Sequence, residues 1–300
     1  MPALPMNPTL EPLLSTFQRI ADALERIAPP PRTKPDFTAC IAARWRVSGT
    51  HKYLETVQHV HHMDADWLIG VEAQHDLIDR NTAQFVSGKP ANNVLLTGSR
   101  GTGKSSLVKA MLARYSPQGL RLIEVEKEHL SDMPDIVDLI ASEPYRFVLF
   151  CDDLSFDTGD GSYKALKAIL DGSIATATPN VLLYATSNRR HLLPEYFHEN
   201  EETKYVGEEV HFGESIEEKV SLSERFGLWI SFYPFSQDDY LAAVKSWVEQ
   251  LSTNVPQDAT AREVFDRDAL NWALQRGSRS GRVAYQFARD FAGRSNDVAG

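Results

Sequence analysis

The chain has 300 residues, of which 42% are apolar and 24% charged, and this ordinary balance excludes a largely disordered protein. Only two cysteines occur, Cys40 and Cys151, which excludes a disulfide-stapled scaffold and favours a reducing, cytoplasmic compartment. The formal net charge of −10 argues against indiscriminate DNA binding, because a basic surface supplies most of that affinity.

The first segment predicts an amphipathic helix that is followed by a stiff linker. Apolar residues recur at helical spacing over Leu10–Ala28, and a Pro-Pro-Pro tract at 29–31 ends the pattern. Such a helix packs against its own protein or docks a partner, and the pattern leaves both open. Because Asp36–Met63 is mixed and mostly helical in character, we predict an N-terminal helical extension over residues 1–63.

From residue 64 onward, short β-rich runs alternate with helical stretches. Each run is continuously apolar, which is typical of strands covered on both faces of a parallel sheet. The predicted strands are Asn93–Thr97, Leu120–Val125, Phe147–Cys151 and Val181–Thr186. The predicted helices between them are Lys104–Tyr115, Asp132–Ser142 and Ser162–Ser173. The alternation predicts an α/β fold with a doubly wound parallel sheet over residues 64–234.

Beyond Pro234 the pattern becomes purely helical. Three helices are predicted, at Gln237–Leu251, Asp266–Arg276 and Arg282–Ala292. They indicate a compact C-terminal helical domain over residues 235–300.

Two further clusters carry weaker signals. Nine glutamates and two lysines lie between Glu195 and Lys219, which favours a solvated loop, with an insertion that contacts a basic partner left open. His59, His61 and His62 lie close together in sequence. Their spacing does not place three imidazoles on one helix face, and no cysteine pair assists, so we expect no metal site there.

Residues 98–105, Gly-Ser-Arg-Gly-Thr-Gly-Lys-Ser, match the phosphate-binding pattern G-x-x-x-x-G-K-[ST], or Walker A motif, without a gap. A predicted strand precedes the motif and a good helix sequence follows it. Glycines let backbone N–H groups turn inward around an anion, and the helix N-terminus adds positive potential. Lys104 is expected to reach the β- and γ-phosphates, and Ser105 to offer its hydroxyl to Mg²⁺. The nucleotide-contacting residues predicted here are Gly98, Ser99, Arg100, Gly101, Thr102, Gly103, Lys104, Ser105 and Ser106.

Two carboxylates, Asp152 and Asp153, follow the apolar strand that ends at Cys151. Ligands of open α/β sheets bind at the carboxyl ends of the strands, so this pair is placed to meet a bound phosphate. Asp152 is predicted to hold Mg²⁺ through water, and Asp153 to polarise an attacking water. Capping of the next helix stays open for Asp153.

With these elements in place, residues 64–293 resemble the AAA+ ATPases. The resemblance implies that Asn188, after the strand Val181–Thr186, is a polar sensor of the γ-phosphate or the lytic water. It implies that Arg225, in Ser223-Glu224-Arg225-Phe226-Gly227, is an arginine finger for a neighbouring subunit. Arg282 matches the family's second sensor better than Arg279 does. Leu68-Ile69-Gly70-Val71 resembles the segment that packs on adenine, which assigns Ile69 and Gly70 to nucleotide binding.

The closest resemblance is to a bacterial AAA+ family known only as a domain of unknown function. The phrases that carry it are Pro90–Leu96, Phe150–Phe156 and Phe232–Phe235. This resemblance implies a fold and an activity class, hydrolysis of ATP with Mg²⁺, and assembly into a homo-oligomer in the ATP state. The client, protein or nucleic acid, is left open.

Two departures from the AAA+ pattern bear on mechanism. Most hydrolysing members have Asp-Glu where this chain has Asp152-Asp153. Aspartate is one methylene shorter, and a misplacement of ~1 Å can cost ~100-fold in rate, so a slow or non-hydrolysing nucleotide-gated loader is the alternative to an ATPase. The segment Glu126–Leu130 lacks the aromatic-glycine pair of ring unfoldases, which disfavours peptide threading.

Other classes of protein fit less well. A small-molecule kinase shares the phosphate loop, but the segment after Pro234 is typical of a lid bundle and not of an arginine-rich closing flap. No apolar run reaches the ~20 residues that a membrane-spanning helix needs, and no leader pattern opens the chain, so we expect no membrane partner.

Overall fold

The structure is a computed structural model that describes most of the chain. The described residues are 11–27, 34–60, 62–156, 165–167, 170, 178–188, 204–206, 209–211, 225–251 and 258–296. The predicted helix Ser162–Ser173 is described only at 165–167 and 170, which are helical. The acidic segment Glu195–Lys219 is described only at two short strands that pair antiparallel, and the rest of it lies outside the described residues.

A seven-stranded sheet forms the centre of the fold. The strands are β1 (Ala42–Ser48), β2 (His51–Thr56), β3 (Val94–Gly98), β4 (Leu120–Glu124), β5 (Arg146–Cys151), β6 (Val181–Ser187) and, after the short pair β7 (Lys204–Val206) and β8 (Glu209–His211), β9 (Leu228–Phe232). Their order in the large sheet is β2-β1-β4-β5-β6-β3-β9, and every neighbouring pair is parallel except β1 and β2. The four strands predicted from apolar runs are confirmed as β3 to β6.

One helix precedes the sheet in the chain, and the others cover the sheet or build the C-terminal region. The helices are α1 (Glu11–Ile27), α2 (Glu72–Val86), α3 (Lys104–Tyr115), α4 (Met133–Ile140), α5 (Gln237–Leu251), α6 (Ala259–Gln275) and α7 (Gly281–Asn296). None of the helices within the described residues is long and apolar enough to cross a membrane.

The strands are apolar on both faces because each face packs against a separate core. In β5, Phe147 and Leu149 point into one buried cluster with α4, whereas Val148 and Phe150 point into another with α2 and α3. This alternation follows from the period of two along a strand. A third cluster joins α5, α6 and α7. The predicted α/β fold with a doubly wound, mostly parallel sheet and a C-terminal helical lid is therefore confirmed.

The helical character predicted for Asp36–Met63 is wrong, because β1 and β2 form a hairpin there and add to the sheet beside β4. The residues alternate with the period of a strand: Trp45 is 1% exposed, whereas its neighbours are partly exposed and paired with carboxylates. Arg44 contacts Glu124 at 2.7 Å. The helix predicted before the proline tract is confirmed as α1.

Three other elements differ from the expectation. The chain also forms α2 and β9, neither of which stood out as a separate apolar run. The sixth helix begins at Ala259, seven residues before the predicted start, because the Asp258 carboxylate caps it by accepting from the Ala261 N–H at 2.8 Å. The domain boundaries at residues 64 and 235 stay predictions.

Strands are added on both sides of β3 in the sheet. From β3 the chain crosses to β4, returns through β5 and β6, and finally adds β9 on the other side of β3. The carboxyl ends of β3, β5 and β6 therefore share one edge at a topological switch point, where open α/β sheets bind ligands.

Candidate functional site

The loop after β3 turns sharply into α3, and glycines make that turn feasible. Gly98 has φ 138°, and a Cβ there would lie 2.1 Å from the carbonyl oxygen of Phe232 on β9. Gly103, with φ 100°, directly precedes Lys104, the first residue of α3. A side chain at Gly98 would collide with the neighbouring strand, so the loop can lie this close to β9 only with glycine there.

The Lys104 ammonium lies inside this turn, with the residue only 6% exposed. Its Nζ donates to the carbonyl oxygens of Gly98 at 2.7 Å and Ser99 at 2.8 Å, and to Oδ1 of Asn188 at 3.1 Å. All three ammonium protons therefore have acceptors, two on the loop and one at the end of β6.

Burial lowers the pKa of Lys104, because the charged form loses hydration. The carboxylates of Asp152 and Asp153 oppose this shift, and Arg282 and Arg100 add to it by like-charge repulsion. The site therefore concentrates positive charge around a buried amine, which favours an anionic ligand.

The first carboxylate of the acid pair faces the start of α3, as its position after β5 predicts. Oδ1 of Asp152 accepts from the Ser105 hydroxyl at 2.6 Å and from the Thr186 hydroxyl at 2.6 Å. Hydroxyl and carboxylate oxygens are hard ligands of the kind that Mg²⁺ takes, one or two from the protein and the rest from phosphates and water. Ser105 and Asp152 therefore fit a magnesium ion held between the protein and a bound phosphate chain.

Asp153 sits in an uncommon backbone conformation, with φ 56°. Its N–H donates to the Thr186 hydroxyl at 2.9 Å, and its Oδ1 accepts from Nδ2 of Asn188. Its Oδ2 lies 3.5 Å from Nη2 of Arg100 in the phosphate loop. Contacts with the end of β6 and with the phosphate loop therefore orient the second carboxylate toward the loop.

The start of α7 in the lid touches the phosphate loop directly. The Arg282 N–H donates to the Gly101 carbonyl oxygen at 3.3 Å, and a Cβ on Gly101 would lie 2.9 Å from the Ser280 hydroxyl. Arg282 lines the same cavity as the loop, whereas Arg279 is not among its lining residues. This placement favours Arg282 over Arg279 as the lid arginine.

A cavity of about 1010 Å³ extends from the phosphate loop to the boundary between core and lid. Its far end is aromatic: the rings of Trp67 and Trp247 lie 5.9 Å apart, and those of Trp247 and Tyr285 lie 4.8 Å apart. Ile69 lines this end, whereas Gly70 forms a turn beside it and is not among the lining residues. The cavity therefore has a charged end and an aromatic, apolar end. The described loop residues that line it are Arg100, Gly101, Thr102, Gly103, Lys104, Ser105 and Ser106.

Arg225 lies near the amino ends of β3 and β9, whereas the phosphate loop follows the carboxyl end of β3. Arg225 precedes β9, whose Leu228 pairs with Val94 and whose Phe232 pairs with Gly98. The five residues of β9 span about 16 Å, so Arg225 is separated from the phosphate loop of its own subunit by the length of a strand. The geometry brings Asn188 and Arg282 to the cavity and leaves Arg225 on a different surface.

Several residues of the site were not anticipated from the sequence, among them Thr186, Trp67, Trp247 and Tyr285. Thr186 is 1% exposed, and its hydroxyl donates to the Asp152 carboxylate and accepts from the Asp153 backbone N–H. It could have been noticed as a polar residue at the end of an apolar strand. Trp247 and Tyr285 lie on separate lid helices and meet only after folding. Cys151 lies in the core as expected, and burial raises the pKa of its thiol to about 12.

No group of three or more His, Cys, Asp or Glu side chains within the described residues is arranged to hold a metal ion. Of the three clustered histidines, His61 lies outside the described residues. The expectation of no metal site at the histidines stays a prediction.

Comparison with known proteins gives one family and one fold. The family model described as "Protein of unknown function (DUF815)" matches residues 38–295. No curated protein matches the sequence.

Solved structures resemble the chain at low sequence identity. ORC1 of Aeropyrum pernix, in complex with DNA, is 17% identical with a TM-score of 0.52, over 77% of this chain and 61% of that one. A mutant form of Thermotoga maritima RuvB is 18% identical with a TM-score of 0.50, over 75% of this chain and 64% of that one. The chain thus spans less than two thirds of either protein. These likenesses show the fold, a P-loop AAA+ fold with helical extensions.

The close approach of Gly98 to β9 makes a testable prediction. We expect Gly98→Ala to destabilise the protein more than Gly103→Ala does. Both substitutions place alanine at positive φ, which costs of order 1–3 kcal/mol, but only the first also collides with a neighbouring backbone atom. Urea unfolding of both variants measures the difference, and equal losses of unfolding free energy would contradict the proposed contact.

Proposed function

The chain belongs to the family described as "Protein of unknown function (DUF815)", and from the geometry of its cavity we propose that it binds ATP with Mg²⁺ and hydrolyses it to ADP and phosphate. The single observation that supports this most is the convergence of four elements on one cavity. The phosphate loop, the acid pair, Asn188 and Arg282 come from distant parts of the sequence and line the same space. Convergent polar groups in a cleft of this size are typical of a ligand site.

Each part of the cavity suits one part of the nucleotide. The aromatic end formed by Trp67, Trp247 and Tyr285 offers flat apolar surface for a base. The loop N–H groups and the N-terminus of α3 face the phosphates. Lys104 exchanges its carbonyl contacts for phosphate oxygens, which is favourable because its charge gains an anionic partner. Arg282 adds a planar donor from the lid.

Magnesium would supply neutralisation of the phosphate charge, and Ser105 and Asp152 are the residues that would hold it. Thr186 keeps the Asp152 carboxylate oriented, because its hydroxyl donates to the same oxygen that Ser105 contacts. The two hydroxyls therefore fix the direction of the carboxylate before any ligand arrives, and this preorganisation favours binding.

In the hydrolytic step, a water oxygen forms a bond to the γ-phosphorus as the bond to the β–γ bridging oxygen breaks. Asp153 accepts the proton that the water loses, and Asn188 orients Asp153 through its side-chain amide. ADP leaves with the electron pair of the broken bond. Positioning and charge stabilisation supply most of the rate enhancement in such reactions.

A second candidate function is a nucleotide-gated switch that hydrolyses ATP very slowly. The observation that favours it is the placement of Asp153, a short carboxylate that already contacts Asn188 and Arg100. A base held back in this way leaves ATP bound for longer and extends the lifetime of the ATP conformation.

Arg225 is proposed to act on the nucleotide of a neighbouring subunit in an ATP-dependent homo-oligomer. Its distance along β9 from the loop of its own subunit supports an action in trans. The proposed client is a protein or a nucleic acid. The cytoplasm is the proposed compartment, supported by the two free buried thiols, Cys40 and Cys151.

Replacing the loop lysine tests nucleotide binding. We expect Lys104→Ala to weaken ATP binding by about 100-fold, since a charge-assisted contact contributes ~1.5–3 kcal/mol. Titration with a fluorescent ATP analogue measures the affinity. Lys245→Ala is the matched control, because Lys245 pairs with Glu249 on an exposed face of α5. Near-normal affinity in Lys104→Ala would refute the assignment of the phosphate loop.

Changing the second carboxylate separates the ATPase from the switch. We expect Asp153→Glu to raise phosphate release by up to about 100-fold, because the longer side chain reaches further toward the water. Asp153→Asn is the control, and it should bind ATP but release almost no phosphate. Release by Asp153→Asn at the wild-type rate would exclude Asp153 as the base, and activity found only in the Glu variant would favour the switch.

Mixing two inactive variants tests the action of Arg225 in trans. We expect Arg225→Ala to bind ATP normally but to lose the hydrolysis that rises with protein concentration. A mixture with Lys104→Ala should regain part of that hydrolysis, because one subunit then supplies an intact nucleotide site and the other an intact arginine. Phosphate release measures the recovery. A mixture as inactive as its components would argue against this role, and Arg294→Ala, on the exposed end of α7, is the control for a lost surface charge.

A further inference from the structure

The side chain of Arg100 occupies an unusual position within the phosphate loop. It extends from the loop toward β5, and its Nη2 lies 3.5 Å from Oδ2 of Asp153, the proposed base. Both side chains line the cavity. A cation carried by the loop itself therefore lies beside the carboxylate that is proposed to act on the terminal phosphate.

The charges that line the cavity do not balance. Its described lining residues include four cations, Arg100, Lys104, Lys109 and Arg282, and two carboxylates, Asp152 and Asp153. The excess of two positive charges favours a strongly anionic ligand. A triphosphate carries more negative charge than a diphosphate, and the difference lies in its terminal group.

The contact between Arg100 and Asp153 is easily exchanged. The two side chains are 75% and 53% exposed, and ion pairs as exposed as this one contribute little to stability because water screens the charges. A terminal phosphate group offers the guanidinium three oxygens and a higher charge, and two of those oxygens can accept from the planar guanidinium at once. Lys104, in contrast, is buried and donates to three acceptors.

We propose that Arg100 exchanges the Asp153 carboxylate for the terminal phosphate of a bound nucleoside triphosphate, so that this one side chain distinguishes ATP from ADP. The proposal rests on the proposed function of the cavity. It assigns to Arg100 a role beyond that of the loop backbone, whose N–H groups contact phosphates in either nucleotide.

The exchange also determines when Asp153 is available. With ADP, Arg100 stays on Asp153, and the carboxylate keeps both an arginine and an asparagine partner. With ATP, the arginine moves to the terminal phosphate and Asp153 keeps only Asn188. The base is therefore released only when the group to be cleaved is bound.

The first test compares affinities for two nucleotides in three proteins. We expect Arg100→Ala to weaken ATP binding by about tenfold or more and to leave ADP binding within about twofold. Arg100→Lys should recover part of the ATP affinity, because lysine keeps the charge but lacks the planar fork. Competition titration against a fluorescent nucleotide measures both affinities. Equal losses for ATP and ADP, or no loss for ATP, would overturn the proposal.

A double-mutant cycle tests the exchange itself. Asp153→Asn removes the carboxylate that competes for Arg100, so we expect it to raise ATP affinity in the Arg100 background. In the Arg100→Ala background the gain should be several-fold smaller, because only the repulsion between carboxylate and phosphate is then relieved. The coupling between the two positions isolates the arginine contact. Equal gains in both backgrounds would contradict the exchange.

These measurements separate the inference from the function on which it rests. If the wild-type protein binds neither nucleotide, the proposed function fails. If it binds both, loses both in Lys104→Ala and is unaffected by Arg100→Ala, only the exchange fails. Because Arg100 is an exposed loop side chain, its substitution is expected to leave the urea midpoint of unfolding at the wild-type value, which urea unfolding checks.

Discussion

The parallel pairing of β3 with β6 on one side and β9 on the other is the constraint on which the site depends. It brings the phosphate loop, Asn188 and the neighbouring acid pair of β5 to one edge of the sheet. The same pairing presses Gly98 against the Phe232 carbonyl, so the loop cannot drift away from the sheet. Backbone pairing therefore fixes the Cα positions of the charged residues, and only their side-chain conformations can vary.

The polar groups of the site satisfy one another through a continuous network. Lys104 contacts Asn188, Asn188 contacts Asp153, and Asp153 contacts Thr186, which also holds Asp152. Such mutual satisfaction avoids the cost of burying unpaired polar atoms. A ligand that contacts these side chains must therefore replace existing contacts, so its affinity reflects the difference between the two sets of contacts.

Local sequence carried the parts of the site that depend on short-range order. The phosphate loop could be predicted from its sequence motif, and the pair Asp152-Asp153 from its position at the end of an apolar strand. The hairpin over 42–56 was missed because overall composition outweighed the alternation around Trp45. Trp247 and Tyr285 could not be anticipated, since two lid helices must pack before their rings meet. The lesson is that contacts between distant elements require the fold, whereas loops following strands do not.

The hydrogen bond between the Arg282 N–H and the Gly101 carbonyl connects the first turn of the last helix to the phosphate loop. With 16 residues, α7 is about 24 Å long. For a helix of that length, a tilt of about 10° about its first turn moves its last residues by about 4 Å. A change in the loop that tilted this helix would therefore displace its far end, where the Arg294 side chain is 74% exposed.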